Sequence, residues 1–156
     1  MKKVLLGLMA VTATSPAFAA GYVGGSVGSG ASLHYQQDLT TNSAMRYSLN
    51  LEATGFNFNT LTVGGSVDYL ADFPSNSTLG GLTPYYGLGL GAGVAIGNTT
   101  GVMVYPHGNL GMRYQVSSPL SIFAEANAGP AIVVSSAGTG IGFGFGAKIG
   151  LNYRIQ

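Results

Sequence analysis

The sequence predicts an all-β chain folded as an eight-stranded antiparallel up-and-down transmembrane β-barrel, and three observations carry that expectation. The first is a period-two alternation whose apolar and polar residues occupy opposite faces. Met45, Tyr47, Leu49 and Leu51 point one way while Arg46, Ser48, Asn50 and Glu52 point the other. The second is the placement of charge, since Arg46, Arg113, Lys148 and Arg154 and the acidic Glu52, Asp68 and Glu125 all fall on that second face. The third is scarcity: charged residues make up 7% of the chain, against about a quarter in a typical soluble domain. So few charges cannot solubilise an outer surface, and the apolar face is expected to look onto lipid.

The first residues assign a compartment. Lys2 and Lys3 precede a short apolar run from Val4 to Val11, and Ala17-Phe18-Ala19 supplies small residues at both cleavage-site positions. The run is shorter than the roughly 18 to 20 apolar residues of a membrane-spanning helix, so residues 1–19 read as a secretory signal peptide and 20–156 as the barrel. Without Lys2 and Lys3 the net charge changes from +1 to −1, which leaves no basic footprint for nucleic acid. Cysteine is absent, so neither disulfides nor thiolate metal sites are available to the exported chain.

Strands are expected at Gly21–Gly28, Ala31–Leu39, Ala44–Ala53, Leu61–Ala71, Thr83–Ile96, Val102–Val116, Leu120–Val134 and Ile141–Ile155. Turn residues separate them: Gly28-Ser29-Gly30, Thr40 to Ser43, Thr54-Gly55, Gly97 to Gly101, Ser117-Ser118-Pro119 and Ser135 to Gly140. The longest connection runs from Asp72 to Leu82. The Gly content of the first strand leaves its facing open. Spans of about ten residues, an even strand count and closure without an edge are what a barrel in hydrocarbon requires, because lipid cannot satisfy unpaired backbone groups.

With both termini periplasmic, Tyr47, Tyr69, Tyr86, Tyr114 and Tyr153 all face outward near one rim, as an aromatic girdle at headgroup height does. Phe56, Phe58, Phe143 and Phe145 are the candidates for the other rim. Inside, Arg46, Glu52, Asp68, His107, Arg113, Glu125, Lys148 and Arg154 are expected to form an interior polar network. Folding the third and fourth strands about the connection near Asn57 sets Arg46 opposite Asp68, the last hairpin brings Glu125 within diagonal reach of Lys148, and Arg113 and Arg154 lie at the periplasmic end.

Two segments carry a family resemblance. Thr83-Pro84-Tyr85-Tyr86-Gly87-Leu88-Gly89-Leu90-Gly91 is similar to the fifth strand of the small outer-membrane barrels of the OmpX and OmpA type, and Gly111 to Ser121 is similar to the hairpin joining their sixth and seventh strands. The closing Leu151-Asn152-Tyr153-Arg154-Ile155-Gln156 resembles their last strand but lacks its usual terminal Phe. The resemblance implies a barrel alone, in the outer membrane of a diderm bacterium, with outer-membrane lipids and the insertion machinery as its partners and a monomeric state.

Catalytic strings do not find the context they need. Gly24-Gly25-Ser26-Val27-Gly28 matches a nucleophile-elbow motif, which requires a strand-to-helix turn rather than a strand. The Gly-x-Gly runs at Gly87 to Gly93 and Gly142 to Gly146 precede no helix, so they read as inward glycines that make room for long neighbours. His34 and His107 lack a second metal-type ligand nearby, and no cofactor is expected. The lipid-A deacylases among such barrels carry a His-x-Ser pair, which His107-Gly108-Asn109 and His34-Tyr35-Gln36 do not match. A soluble cup would need the inverse pattern, with apolar residues inside. The expected role is structural or surface-interacting and non-catalytic, with a plugged polar interior; a narrow porin-like channel is the alternative, and a lipid-modifying enzyme stands behind it.

Overall fold

The computed structural model describes residues 20–53, 60–74, 80–97, 100–136 and 138–155. Eight strands follow in order: β1 (Gly21–Gly28), β2 (Gly30–Thr40), β3 (Ser43–Ala53), β4 (Thr60–Asp72), β5 (Leu82–Gly97), β6 (Gly101–Gln115), β7 (Leu120–Ser135) and β8 (Gly138–Arg154). Each pairs antiparallel with the next, and β8 pairs with β1 to close the ring. The strands fall close to their expected places. The largest difference is at the start of β8, where Gly138 at φ 125° turns the chain at once and pairs with Ser135, so that Thr139 and Gly140 are strand rather than turn. The expected signal segment, and Asn57, Phe56 and Phe58, lie outside the described residues.

The stagger of the ring follows from the register. The ladder that starts at Gly21 passes through Gln37, Met45, Tyr69, Leu88, Gly108 and Ala128 to Phe145. Phe145 lies ten residues before Ile155, whose N–H donates to the Gly21 carbonyl at 2.8 Å. A stagger of this kind tilts the strands by roughly 35 to 45° and leaves an interior that side chains can fill. One seam is locally weakened: β6–β7 pairing passes from Val104↔Ile132 to Gly108↔Ala128, and between these pairs lie Pro106 and Pro130, which have no N–H to give the ladder.

The alternation places polar groups inside and apolar groups outside. Ser26, His34, Gln36, Arg46, Ser48, Asp68, His107, Asn109, Ser121, Glu125 and Asn152 are buried, whereas Leu49, Leu51, Leu88, Leu90, Ile122, Phe145, Ile149 and Leu151 are exposed. The first strand takes the same facing, with Ser26 buried and Val23 and Val27 exposed. A small apolar cluster of Leu70, Tyr85 and Phe123 sits within the polar interior. Several inward glycines are the floor for a large side chain: a Cβ on Gly111 would strike the Tyr85 ring, one on Gly150 the Phe123 ring and one on Gly144 the Tyr105 ring. Gly142, by contrast, has nothing within 4 Å of such a Cβ, because it lies beyond the filled part of the interior.

Candidate functional site: a polar network across the barrel interior

The densest part of the interior is built from side chains of four strands. Glu125 on β7 accepts a hydrogen bond from the Arg46 guanidinium of β3 and another from Tyr85 Oη of β5 at 2.9 Å, both at Oε2. Its other oxygen lies 2.9 Å from Lys148 Nζ of β8. The Arg46 guanidinium also stands over the Phe123 ring, 5.2 Å from its centroid. Arg46 is 1% exposed and Glu125 3%, so the carboxylate is held in a desolvated place by two cations and a phenol. Burial of a charge is tolerable when it is paired and hydrogen-bonded in this way.

A second cluster surrounds Asp68 on β4. It accepts from Asn109 Nδ2 at 2.9 Å, lies 2.8 Å from His107 Nε2 and receives the Ser66 hydroxyl at 3.3 Å. His107 Nδ1 is 2.9 Å from the Tyr105 carbonyl. Both ring nitrogens therefore face acceptors, which a doubly protonated imidazolium satisfies. The Tyr105 ring stacks on His107 with centroids 4.8 Å apart, and its hydroxyl, with one proton to give, lies 3.0 Å from Asn127 Oδ1 and 3.2 Å from the Gly144 carbonyl.

Two further pairs lie toward the end that carries the termini. Arg113 Nη2 meets Asp72 Oδ2 at 2.8 Å, and Tyr22 Oη donates to Asp38 Oδ2 at 3.2 Å. These four groups, with Gln36 and Ser121, line a polar cavity of about 160 Å³. At the β1 seam His34 Nε2 lies 2.6 Å from Asn152 Oδ1, a pair that spans from β2 to β8 because Gly24 between them has no side chain.

Arg46, Glu125 and Lys148 thus meet in one cluster, Asp68 and His107 in a second, and Arg113 outside both. Arg46 and Asp68 are direct register partners, yet Arg46 does not take Asp68 as its hydrogen-bond partner; its long side chain crosses the lumen to Glu125. Glu125 and Lys148 are also direct register partners rather than diagonal neighbours. Arg154 is exposed and lies six residues beyond Lys148 along β8, a distance of about 20 Å in an extended strand, so it is no part of the central cluster. The backbone of Glu52 pairs with Gly30 and Thr62; its side chain lies outside the described residues. Tyr85, Asn109, Asp72, His34 and Asn152 extend the set that sequence reading assigned to the interior network. Asn109 had a usable signal, being two residues from His107 and hence on the same face.

On the outside, Tyr69, Tyr86, Tyr114 and Tyr153 are exposed and Tyr47 is half-exposed. The register carries Tyr153 through Val23 to Tyr35 and then Tyr47 on successive strands, which adds Tyr35 to the same band. Among the described residues, no group of three or more His, Cys, Asp or Glu side chains could hold a metal ion.

Comparison with solved structures settles the fold. The N-terminal β-barrel domain of Pseudomonas aeruginosa OprF superposes with a TM-score of 0.56 at 15% identity, covering 88% of this chain and 96% of that one. This chain has the fold of a small outer-membrane β-barrel. Neisserial surface protein A matches at a TM-score of 0.56, 12% identity and coverage of 88% and 94%. A major outer membrane protein from Thermus thermophilus matches at 0.51, 13% and coverage of 88% and 99%. No protein-family model matches the sequence, and no curated protein does. The eight-stranded antiparallel up-and-down ring is common ground with these barrels, and the resemblance read from the fifth strand and the β6–β7 hairpin points the same way.

Proposed function

We propose that this chain is an integral outer-membrane barrel with a structural or surface-interaction role, without catalytic activity, whose polar interior is plugged. The observation that supports it best is the crossing of the lumen by Arg46, Glu125, Lys148 and Tyr85 beneath an outer wall whose mid-height is apolar. Such a wall needs hydrocarbon, and on this reading the ionic brace closes a lumen that eight strands leave only about wide enough for side chains. In this reading residues 1–19 direct export and are removed, and the outward tyrosines mark the headgroup level on the periplasmic side, where both termini lie.

Planar-bilayer recording on the purified barrel is the decisive experiment. The expected result is no steady single-channel current and no acceleration of small-sugar entry into liposomes. Reproducible conductance that changes when Glu125 or Lys148 is neutralised would replace this reading with a narrow channel.

The lipid-facing wall has its own test. Spin labels at Leu49, Leu88, Ile122 and Phe145 in reconstituted barrel should relax with oxygen, which partitions into lipid, and stay insensitive to a water-soluble nickel chelate. A Lys or Arg at mid-depth on this face is expected to destabilise the barrel by about 2 to 4 kcal/mol. Labels that respond to the nickel chelate as one at Thr41 does would sink the assignment.

A further inference from the structure

Among the described side chains the carboxylates are Asp38, Asp68, Asp72 and Glu125, and three of them meet a basic group. Glu125 meets Arg46 and Lys148, Asp68 meets His107, and Asp72 meets Arg113. Asp38, near the end of β2, takes part in none of these ion pairs. Its Oδ2 accepts from the Tyr22 hydroxyl at 3.2 Å, and Arg113 and Arg154 act on it through space.

No undescribed side chain beyond the signal peptide can supply the missing cation, because residues 54–59, 75–79, 98–99, 137 and 156 contain no Lys, Arg or His. Lys2 and Lys3 lie within residues 1–19 and leave with them. Processing puts another cation in their place. Hydrolysis of the Ala19–Ala20 peptide bond leaves a carboxylate on Ala19 and an amine on Ala20, which takes up a proton at neutral pH.

The register puts that amine beside Asp38. The Ala20 carbonyl accepts from the Asp38 N–H at 2.9 Å, which continues the ladder from Gly21↔Gln37 and makes Ala20 the direct partner of Asp38. Opposed residues of such a hydrogen-bonded pair stand about 5.5 Å apart at Cα. With Ala19 removed, rotation about the Ala20 Cα–C bond is free to swing the ammonium inward. Asp38 shares the inward parity of His34 and Gln36, and Tyr22 engages its Oδ2, which leaves Oδ1. The polar cavity of about 160 Å³ that Asp38 and Tyr22 line gives the ammonium room. Gln36, 3% exposed, and Ser121, 2% exposed, line the same cavity, and their side chains have no hydrogen-bond partner among the described residues. A wall of buried, unengaged polar groups suits a charged occupant.

We propose that Asp38 and the adjoining cavity form a binding site for a primary ammonium, filled in the processed barrel by the chain's own α-ammonium at Ala20. The pair ties the start of β1 to β2 next to the closing seam, where the Ile155 N–H donates to the Gly21 carbonyl at 2.8 Å. At 8 residues β1 is the shortest strand of the ring, so it has the fewest ladder bonds and gains most from a tie at its free end. Removal of the signal peptide then completes the fastening of the first strand. The inference rests on the reading of residues 1–19 as a signal peptide that is removed.

Titration of the α-amine tests the pair. The chain beginning at Ala20 is refolded in detergent micelles, its amines are tagged by reductive methylation with labelled formaldehyde, and NMR follows the α-amine signal with pH. An unpaired α-amine titrates at about 7.7 to 8.0; beside the Asp38 carboxylate, which favours the charged form, it is expected above about 9. The ionisable groups that face it are Tyr22 on β1, Asp38 on β2, Asp72 on β4, Arg113 on β6 and Arg154 on β8. The two arginines oppose another cation, so the rise requires Asp38 in contact. Asp38→Asn should abolish it. A chain beginning at Ala19 should abolish it too, because its ammonium lies one residue, about 3.5 Å, further out while Asp38 is kept. An ordinary α-amine in the folded Ala20 chain, or a rise that survives in the Ala19 chain, would overturn the proposal; should Asp38→Asn fail to fold, the Ala19 chain decides alone. The mass of the exported barrel tests the processing separately. A start other than Ala20 would refute the natural occupant and the assignment of residues 1–19, while the refolded Ala20 chain still decides whether Asp38 holds an ammonium.

Discussion

Glu125→Ala is expected to destabilise the barrel by about 3 to 5 kcal/mol, the loss that follows when one partner is removed from a buried ion pair. Glu125 is the only carboxylate that the Arg46 guanidinium reaches by a hydrogen bond among the described residues, and Arg46, at 1% exposed, cannot turn to water. Alanine also strips Tyr85 of the acceptor for its hydroxyl. Lys148 behaves differently, because its side chain is 19% exposed and can rehydrate; Lys148→Ala is expected to cost about 1 kcal/mol, in the range of partly screened pairs. The double variant Arg46→Ala/Glu125→Ala should lose less than the sum of its singles by about 1 to 3 kcal/mol, since the second substitution removes the charge that the first one stranded. Urea-induced unfolding in phospholipid vesicles reads these differences. Additive losses for Arg46 and Glu125, or a Glu125→Ala variant within about 1 kcal/mol of the parent, would show that the brace is not holding the barrel.

Much of the fold was legible because a barrel wall imposes one rule on every strand. Alternation gave facing, and Gly, Asn, Ser and Pro gave the turns, so β3, β5 and β7 could be placed from Met45 to Leu51, from Tyr86 to Leu90 and from Leu120 to Ala128 without any long-range information. Hairpin register was legible for Arg46 against Asp68, which follows from counting back from the turn, but not for Glu125, which faces Lys148 directly rather than diagonally because β8 starts at Gly138 and the turn is tighter than the expected Ser135 to Gly140 connection. The contacts across the lumen were not legible either. Arg46 finds Glu125 four strands away, and His34 finds Asn152 across β1, because the stagger of the closed ring sets which heights coincide and the reach of each side chain sets which groups meet. Neither quantity is local in sequence. Arg154 shows the same limit from the other side: it shares the inward parity of Lys148, yet lies past the point where the interior is enclosed. Parity gives direction, and only closure gives depth.

The same dependence on closure gives glycines of identical parity opposite expected responses to a single methyl group. A Cβ added to Gly89 on β5 would run into Asp68 Oδ1 and lie 2.8 Å from His107 Cε1. Asp68 is its direct register partner and is 1% exposed, fixed by Asn109 and His107, so the carboxylate has no free volume to enter. Gly89→Ala must therefore separate Asp68 from His107, and the expected loss is about 3 kcal/mol, at the lower end for a broken buried pair. Gly142→Ala, on the open stretch of β8, meets nothing within 4 Å and should change stability by no more than about 0.5 kcal/mol. If the penalty at Gly89 arises from the ion pair rather than from the backbone, it should shrink in an Asp68→Ala background, where the carboxylate that the methyl group strikes is gone. Vesicle unfolding of the two single glycine variants and the Asp68→Ala/Gly89→Ala double decides it. Equal stabilities for the two glycine variants, or a Gly89 penalty that survives intact without Asp68, would mean that the inward glycines shape the backbone of the wall and do not serve the polar network.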